Sequence, residues 1–453
     1  MENEDYLKYF KGKKITVLGL GLLGRGVGDA LFLAECGAEV LVTDLKSEEE
    51  LASSVVQLSE FPNVSFTLSE HKFEDFENKD MILVAAGVPF DSPYLAHAKE
   101  HSVPLEMSAA IFARISQIPI VGVTGTRGKS TVAHMIHHVL SVVTGEPILL
   151  GGNIRGVSNL QLLKKVKEDS IAVFELDSWQ LQGFGWSEIS PQIAVFTNFM
   201  EDHQNYYHND MDAYFLDKAN IFLYQEDHDV FITTPEVFER AKKCALKKDI
   251  TLGQEVVLAD SSVLPEELLL RVPGEHNRLN AGLAYQALRA LSLTDEEIIE
   301  RLATFPGVPG RLEYLRDINS IAIYNDNNAT TPEATIVGIE AVGDVEKKNI
   351  VLIMGGADKG IDCTELLEKI GKYVKKVILI PGTGTDNFIE LQKVRCPTPY
   401  SEVGTLKEAV TEAVAVGEAE DVILFSPAFA SFGQYKNEYE RNDEFVDIIE
   451  SYE

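Results

Sequence analysis

The sequence predicts an α/β fold of doubly wound parallel sheets in three domains, on three observations. Short β-rich runs recur along all 453 residues and end in polar or glycine clusters. Amphipathic helical patterns separate many of these runs, the alternation that parallel sheets with crossover helices require. Passages rich in glycine and proline, near Ser102-Val103-Pro104 and at FPGVPG (305 to 310), divide the chain. A Rossmann-like domain is expected over 1–105, a central nucleotide-binding domain over 106–307 and a second Rossmann-like domain over 308–453.

Taken in order, the first run is KITVLGLG (14 to 21), which leads into Gly19-Leu20-Gly21-Leu22-Leu23-Gly24. AEVLVTD (38 to 44) ends on Asp44, twenty residues past the last of those glycines. A strand, G-x-G-x-x-G and a later acid form a dinucleotide-binding pattern that puts a pyrophosphate on a helix N-terminus. Taken alone, it points to a nicotinamide-dependent dehydrogenase. DMILVAAG (80 to 87) closes the first set of runs.

The next run, PIVGVTGTRGKST (119 to 131), is an apolar strand, a glycine turn and a Lys-Ser-Thr that opens a helix. Val132, Met135, Ile136, Val139, Leu140 and Val143 then mark one helical face. Gly125 and Gly128 let successive N–H groups face an anion, Lys129 reaches terminal phosphates and Ser130 is placed to ligate Mg²⁺. The strict G-x-x-x-x-G-K-[ST] spacing is not met, because Val123 stands at the first glycine position. His134 and His138 lie off the apolar stripe and read as solvated helix residues rather than a metal pair. The remaining runs are IAVFEL (171 to 176), QIAVFTN (192 to 198), IAIYND (321 to 326), NIVLIMGG (349 to 356), KVILIPG (376 to 382) and DVILFSP (421 to 427).

A net charge of −31, from 40 basic and 71 acidic residues, repels nucleic acid and anionic membrane. No nucleic-acid or membrane partner is therefore expected, and an anionic substrate must be held by local cations and N–H groups. Cys36, Cys244, Cys363 and Cys396 are scattered, which suggests neither a disulfide framework nor a cysteine zinc site and fits a reducing cytoplasm. The acidic start, MENEDYLKYF, and the glycine-broken apolar stretch after it do not read as a signal peptide, and no apolar run is long enough to span a bilayer.

TGTRGKST is followed in order by GGNIRG (151 to 156), FELDSWQL (174 to 181), NFMEDHQNYY (198 to 207), a lysine at 218, PGEHNRLNA (273 to 281) and PGRLE (309 to 313). This ordered set, which covers essentially the full chain, resembles the Mur ligase family. In the last domain, YNDNNATTPEAT (324 to 335), GGADKG (355 to 360) and SPAFASFGQYKNEYERNDEF (426 to 445) are most similar to the branch that adds D-glutamate to UDP-N-acetylmuramoyl-L-alanine. The resemblance implies a cytoplasmic, monomeric enzyme of peptidoglycan synthesis that joins an amino acid to an acid in an amide bond, using ATP and two Mg²⁺ ions. A carboxylate is a poor electrophile. It must first take the γ-phosphoryl group of ATP to become an acyl phosphate, from which the amine displaces phosphate, and both partners of the first step are anions.

The resemblance also implies roles. Gly125, Thr126, Arg127, Gly128, Lys129, Ser130 and Thr131 would hold the triphosphate, Asn277 and Asn280 the adenine edge, and Arg311 and Asp326 phosphate and ribose. Ser130 and Glu175 would take one Mg²⁺ and His203 the other, with Lys218 carbamylated into an anion that bridges toward the metal. Gly21, Leu22, Leu23, Asp44, Lys46, Gly87 and Asn153 would cradle the UDP substrate. Thr330 and Lys359 would bind the side-chain carboxylate of D-glutamate, and Ser431 with the backbone near Glu438 its α-carboxylate. The chain departs from the family pattern at Arg127, Asn205, Asn328, Glu438 and in ELDSWQL. These changes remove a cation and place an acid near an anionic ligand. Another ligase of the family, adding a different amino acid or extending a glutamyl chain, is the alternative within it. A second phosphate loop has no use in a simple dehydrogenase, which ranks a nicotinamide-dependent oxidoreductase behind a ligase.

Overall fold

A computed structural model describes every residue except 1–4, 22, 23, 90, 144, 146, 359, 396, 397, 436 and 453. Leu22, Leu23, Lys359 and Cys396 thus lie outside the described residues. The chain divides into two compact units, Met1–Glu266 with Leu279–Leu302, and Glu267–Arg278 with Ala303–Glu453.

The first unit holds two sheets. Strands β1 (Lys14–Leu18), β2 (Glu39–Asp44), β3 (Val64–Leu68), β4 (Met81–Val84) and β5 (Leu105–Glu106) form one in the order β3-β2-β1-β4-β5. Strands β6 (Ile120–Thr124), β7 (Ile148–Gly152), β8 (Ile171–Glu175), β9 (Ile193–Phe196), β10 (Val230–Thr233) and β11 (Glu255–Leu258) form the other, β11-β10-β9-β6-β8-β7. Every pairing in both is parallel. Helices cover both faces of such sheets, so central strands read as unbroken apolar runs: β4, β6 and β9 are buried at every residue. The order of strand addition reverses between β1 and β4 and between β6 and β9, and crevices open at the carboxyl ends of those pairs.

The two sheets share one core, with Phe32, Phe112, Leu160 and Phe174 all fully buried in it. Asp29 is the polar tie between them. It accepts from the Ser158 hydroxyl (2.5 Å) and the Leu160 N–H (3.1 Å), and burial raises its pKa despite those bonds.

The second unit has strands β12 (Glu313–Ile318), β13 (Ile321–Asn325), β14 (Ile350–Met354), β15 (Val374–Leu379), β16 (Tyr400–Glu402) and β17 (Val422–Phe425), ordered β12-β13-β17-β14-β15-β16. Only β12 pairs antiparallel, through the tight turn to β13. Its core lies on both faces of β14 and β17, around Ile323, Leu352, Leu424 and Phe445. Among the described residues no helix is long and apolar enough to cross a membrane.

Candidate active site

The turn after β6 is shaped by what lies beside it. Gly125 has φ +141°, and a Cβ there would sit 2.0 Å from the Thr197 hydroxyl oxygen. Gly128 has φ +82°, and its Cβ would meet Asn280 Oδ1 at 2.4 Å. Both positions exclude a side chain on two counts, backbone conformation and space. Val123, at the position where the strict motif has glycine, is instead a fully buried β6 residue. The loop is clamped to the segment after β9. Thr126 N–H donates to the Asn198 carbonyl (2.9 Å), Arg127 N–H to Asn198 Oδ1 (2.9 Å), and the Thr197 hydroxyl to the Arg127 carbonyl (2.5 Å).

Two ammonium groups converge on this turn. Lys129 Nζ donates to the Gly125 and Thr126 carbonyls, each at 3.0 Å, and Lys218 Nζ donates to the same Gly125 carbonyl at 2.9 Å. Lys218 is 1% exposed. Burial first, and then the nearby Lys129 charge, bring its pKa down from 10.5 to about 7. Ser130 is buried at the start of the helix Lys129–Val143, with Thr131 beside it. The Arg127 side chain points outward and lies 3.7 Å from Asp202.

Register brings the other candidates to the same edge. Val123 pairs with Glu175 and Thr124 with Phe196, so the ends of β8 and β9 flank the end of β6. Glu175 is buried, and its carboxylate accepts from the Asn153 amide at 3.4 Å. His203 stands at φ +52°, with its ring between Trp179 (centroids 4.7 Å apart) and Tyr214 (5.7 Å). Burial lowers its pKa, the Asp202 charge opposes this, and the charges of Lys218 and Lys129 add to it, so the neutral imidazole is favoured. A buried carboxylate with one weak amide partner calls for a cation. The Ser130 hydroxyl, at the start of the helix after β6, adds an oxygen donor of the kind Mg²⁺ takes.

At the first sheet, Asp44 accepts from Leu20 N–H (2.9 Å) and Lys46 N–H (2.9 Å), which fixes the glycine turn holding Gly21. Lys46 Nζ is 3.9 Å from the same carboxylate, and Gly87 follows β4 on the opposite lip of the crevice. A cavity of about 250 Å³ opens there, lined by Gly19, Gly21, Arg25, Asp29, Ser108 and Gln180 among others. Arg25, absent from the sequence reading, donates from Nη1 to Asn153 Oδ1. A chain of contacts, Arg25 to Asn153 to Glu175, thus links the crevice of the first sheet to that of the second.

In the second unit, Thr330, Ser431 and Glu438 line one cavity of about 270 Å³ together with Arg311 and Asn328. Phe432 and Tyr439 also line it, so aromatic rings flank the site although position 438 itself is an acid. The loops after β13 and β17 form its wall. Arg441 holds them from below: fully buried and pushed down to about 10 by burial, it donates to Asn327 Oδ1 (2.8 Å), the Asn327 carbonyl (3.1 Å) and the Phe429 carbonyl (3.4 Å). Asn327 in turn donates to the Glu438 carbonyl at 2.7 Å. Asn277, in this unit, donates to the Pro273 carbonyl at 2.9 Å.

Asp326 presents no free carboxylate. It accepts from Leu312 N–H (3.0 Å) and the Ser426 hydroxyl (2.8 Å), and burial lifts its pKa from 3.8 to about 7. A carboxyl that holds its proton more tightly when folded stabilises fully below its unfolded pKa, and that contribution is lost as pH rises from about 4 through about 7. The loss amounts to roughly 4 kcal/mol at most. Asp326→Asn, whose amide serves both neighbours without ionising, should flatten this part of the pH dependence. Calorimetric unfolding of both proteins at about pH 5 and pH 8 checks it, and parallel pH dependence in the two would contradict it.

Fold and site together define an α/β protein with a glycine turn at a helix start, suited to nucleotide binding. The Mur ligase middle domain matches residues 123–288 and the Mur ligase glutamate ligase domain residues 310–429. The UDP-N-acetylmuramoylalanine–D-glutamate ligase of Roseiflexus sp. (strain RS-1) is 32% identical, over 97% of this chain and 99% of its own. That of Clostridioides difficile (strain 630) is 30% identical over 97% and 98%. Among solved structures, the UDP-N-acetylmuramate–alanine ligase of Thermotoga maritima has a TM-score of 0.59 at 21% identity, covering 97% of this chain and 99% of its own. The chain belongs to the Mur ligase family, and it is an ATP-dependent ligase that forms an amide bond.

Proposed function

We propose that this enzyme adds D-glutamate to UDP-N-acetylmuramoyl-L-alanine through an acyl phosphate, in the cytoplasmic stage of peptidoglycan synthesis. The observation that carries the phosphoryl-transfer step is the Lys129 ammonium held over the glycine turn, 3.0 Å from the Gly125 and Thr126 carbonyls, in a chain of net charge −31. The choice of substrates is supported by full-length relatives named for that reaction.

In this reading the three domains are 1–105 for the UDP substrate, 106–307 for ATP and 308–453 for the amino acid. Lys129 and the N–H groups from Gly128 to Thr131 take the triphosphate, since those of Thr126 and Arg127 already donate to Asn198. Asn280, which packs against Gly128, takes the adenine edge in this reading, while Asn277, Arg311 and Asp326 belong to the second unit and their nucleotide roles rest on the family resemblance. Ser130 and Glu175 hold one Mg²⁺, and His203 with carbamylated Lys218 the other. Bound there, Mg²⁺ would supply charge neutralisation at the phosphoryl oxygens. Gly21, Asp44, Lys46, Gly87 and Asn153, with Leu22 and Leu23, receive the UDP portion. Thr330, Ser431 and the Glu438 backbone, with Lys359, fix the two carboxylates of D-glutamate. The enzyme works as a monomer.

Purified protein with ATP, Mg²⁺ and UDP-N-acetylmuramoyl-L-alanine, offered each amino acid in turn, should release phosphate only with D-glutamate. Release with a different amino acid would move the enzyme elsewhere in the family. Ser431→Ala should raise KM for D-glutamate about tenfold or more with little change in kcat, because a hydrogen bond to a charged group is worth about 1.5–3 kcal/mol. Steady-state kinetics at saturating ATP checks this, and an unchanged KM would remove Ser431 from the amino-acid site.

A further inference from the structure

The cysteines suggest no zinc site, and His134 is engaged with its own helix, its Nδ1 bonded to the Ser130 carbonyl at 2.8 Å. A different histidine pair is better placed. Helix Pro93–Glu100 starts on a proline after Ser92 and ends at His101, so His97 and His101 stand one turn apart on the same face, with ring centroids 4.2 Å apart. Glu77 follows the short turn Phe73–Phe76 that packs against this helix. Its Oε1 lies 2.9 Å from His97 Nε2 and 4.0 Å from His101 Nε2. All three donor atoms lie within 4.8 Å of one another.

We propose that Glu77, His97 and His101 form a three-ligand site for a divalent transition ion of the zinc type. With metal–ligand bonds near 2.0–2.1 Å, neighbouring donors of a tetrahedral ion stand about 3.4 Å apart. The observed separations bracket that value, so a small rotation of the His101 ring closes the triangle. The tautomer is already set. His101 Nδ1 donates to the His97 carbonyl at 2.9 Å, which leaves the lone pair of a neutral ring on Nε2, the atom that faces Glu77. At His97, the proton shared with Glu77 is exchanged for the ion. The Phe73 ring, 4.9 Å from that of His97, shelters one side, while the 43% exposed His101 side chain leaves room for a water as fourth ligand.

Two imidazoles and a carboxylate select against Mg²⁺, which prefers an all-oxygen shell, and suit Zn²⁺. The place in the fold separates this site from the ligase chemistry. Glu77 precedes β4 and His101 precedes β5, at the amino ends of these strands, whereas Gly21, Asp44 and Gly87 lie at the carboxyl ends of β1, β2 and β4. A bound ion would clip the segment entering β4 to the helix that follows that strand. Without an ion the same residues are held together by the Glu77–His97 hydrogen bond at 2.9 Å.

Titration calorimetry of the full chain with Zn²⁺, in excess Mg²⁺ to fill hard-oxygen sites, distinguishes the two. One equivalent should bind, with a Kd of about 10 µM or tighter. His97→Ala/His101→Ala should weaken binding by about 100-fold or more, and Glu77→Gln, which keeps the side-chain shape, by about tenfold or more. His134→Ala/His138→Ala should bind as the wild type does. Zn²⁺ should raise the melting temperature of the wild type but not of the His97/His101 double variant. Binding no tighter than about 1 mM, or binding that survives in that double variant, would overturn the assignment.

Discussion

Replacing Lys129 with alanine is expected to lower kcat by about a thousandfold or more while the fold is kept. Lys129 is partly buried, and two of its hydrogen bonds go to loop carbonyls, one of which Lys218 also serves. The chemistry depends on the Lys129 side chain heavily, because a carboxylate must attack a phosphorus that is ringed by negative oxygens. A cation fixed at that point lowers the repulsion most when charge peaks in the transition state, so the loss should fall on kcat more than on the KM for ATP. Phosphate-release kinetics with all three substrates and a melting curve of the variant make the test. Near-normal kcat in a folded Lys129→Ala protein would remove the phosphate role assigned to this loop.

What the sequence made legible follows a physical rule. Each of the ten apolar runs contains an interior strand, where burial on both faces demands unbroken hydrophobicity. The six edge strands, β3, β5, β7, β11, β12 and β16, gave no such run. Several of them are only partly buried, as in β3, β11 and β16, so their sequences carry the polar residues that an edge requires. Interior β10, with the short run VFIT, was also missed. The glycine turn after β6 was legible because Gly125 and Gly128 must stand there for steric reasons that act locally. That the first two sheets share one compact unit was not legible, since it rests on contacts such as Asp29 with Ser158 between residues far apart in sequence.

Two cations show a signal that spacing did contain. Tyr214, Phe215, Lys218 and Ala219 form the buried face of their helix, and Arg441, Phe445 and Ile449 that of another. In each case a charged residue occupies an apolar stripe at helical spacing. Such a position costs several kcal/mol unless local groups compensate, so it marks a placed charge rather than a solvated one. Arg441 is compensated by three carbonyl or amide oxygens and organises the wall of the second-unit cavity. Asn328 and Tyr439, by contrast, gave no local sign that they line that cavity, because their loops meet only after β13 and β17 pair.

Lys218→Ala should cost about a hundredfold or more in kcat, and the size of the loss follows from what burial does to the amine. Near its pKa of about 7, much of the side chain is the neutral amine even at physiological pH. The nitrogen lone pair of that form can attack CO₂: an N–C bond forms, one N–H proton leaves to solvent, and a carbamate anion results. The exchange turns a cation crowded against Lys129 into an anion that Lys129 and Mg²⁺ both attract. ¹³C NMR of the enzyme in labelled bicarbonate should show one carbamate carbon in the wild type and none in Lys218→Ala. Lys218→Arg separates this role from simple charge. Arginine keeps a cation near the Gly125 carbonyl but does not form the carbamate, so it should be as inactive as alanine. Substantial activity in Lys218→Arg, or a wild type fully active with its amine free, would reduce Lys218 to a structural partner of the loop.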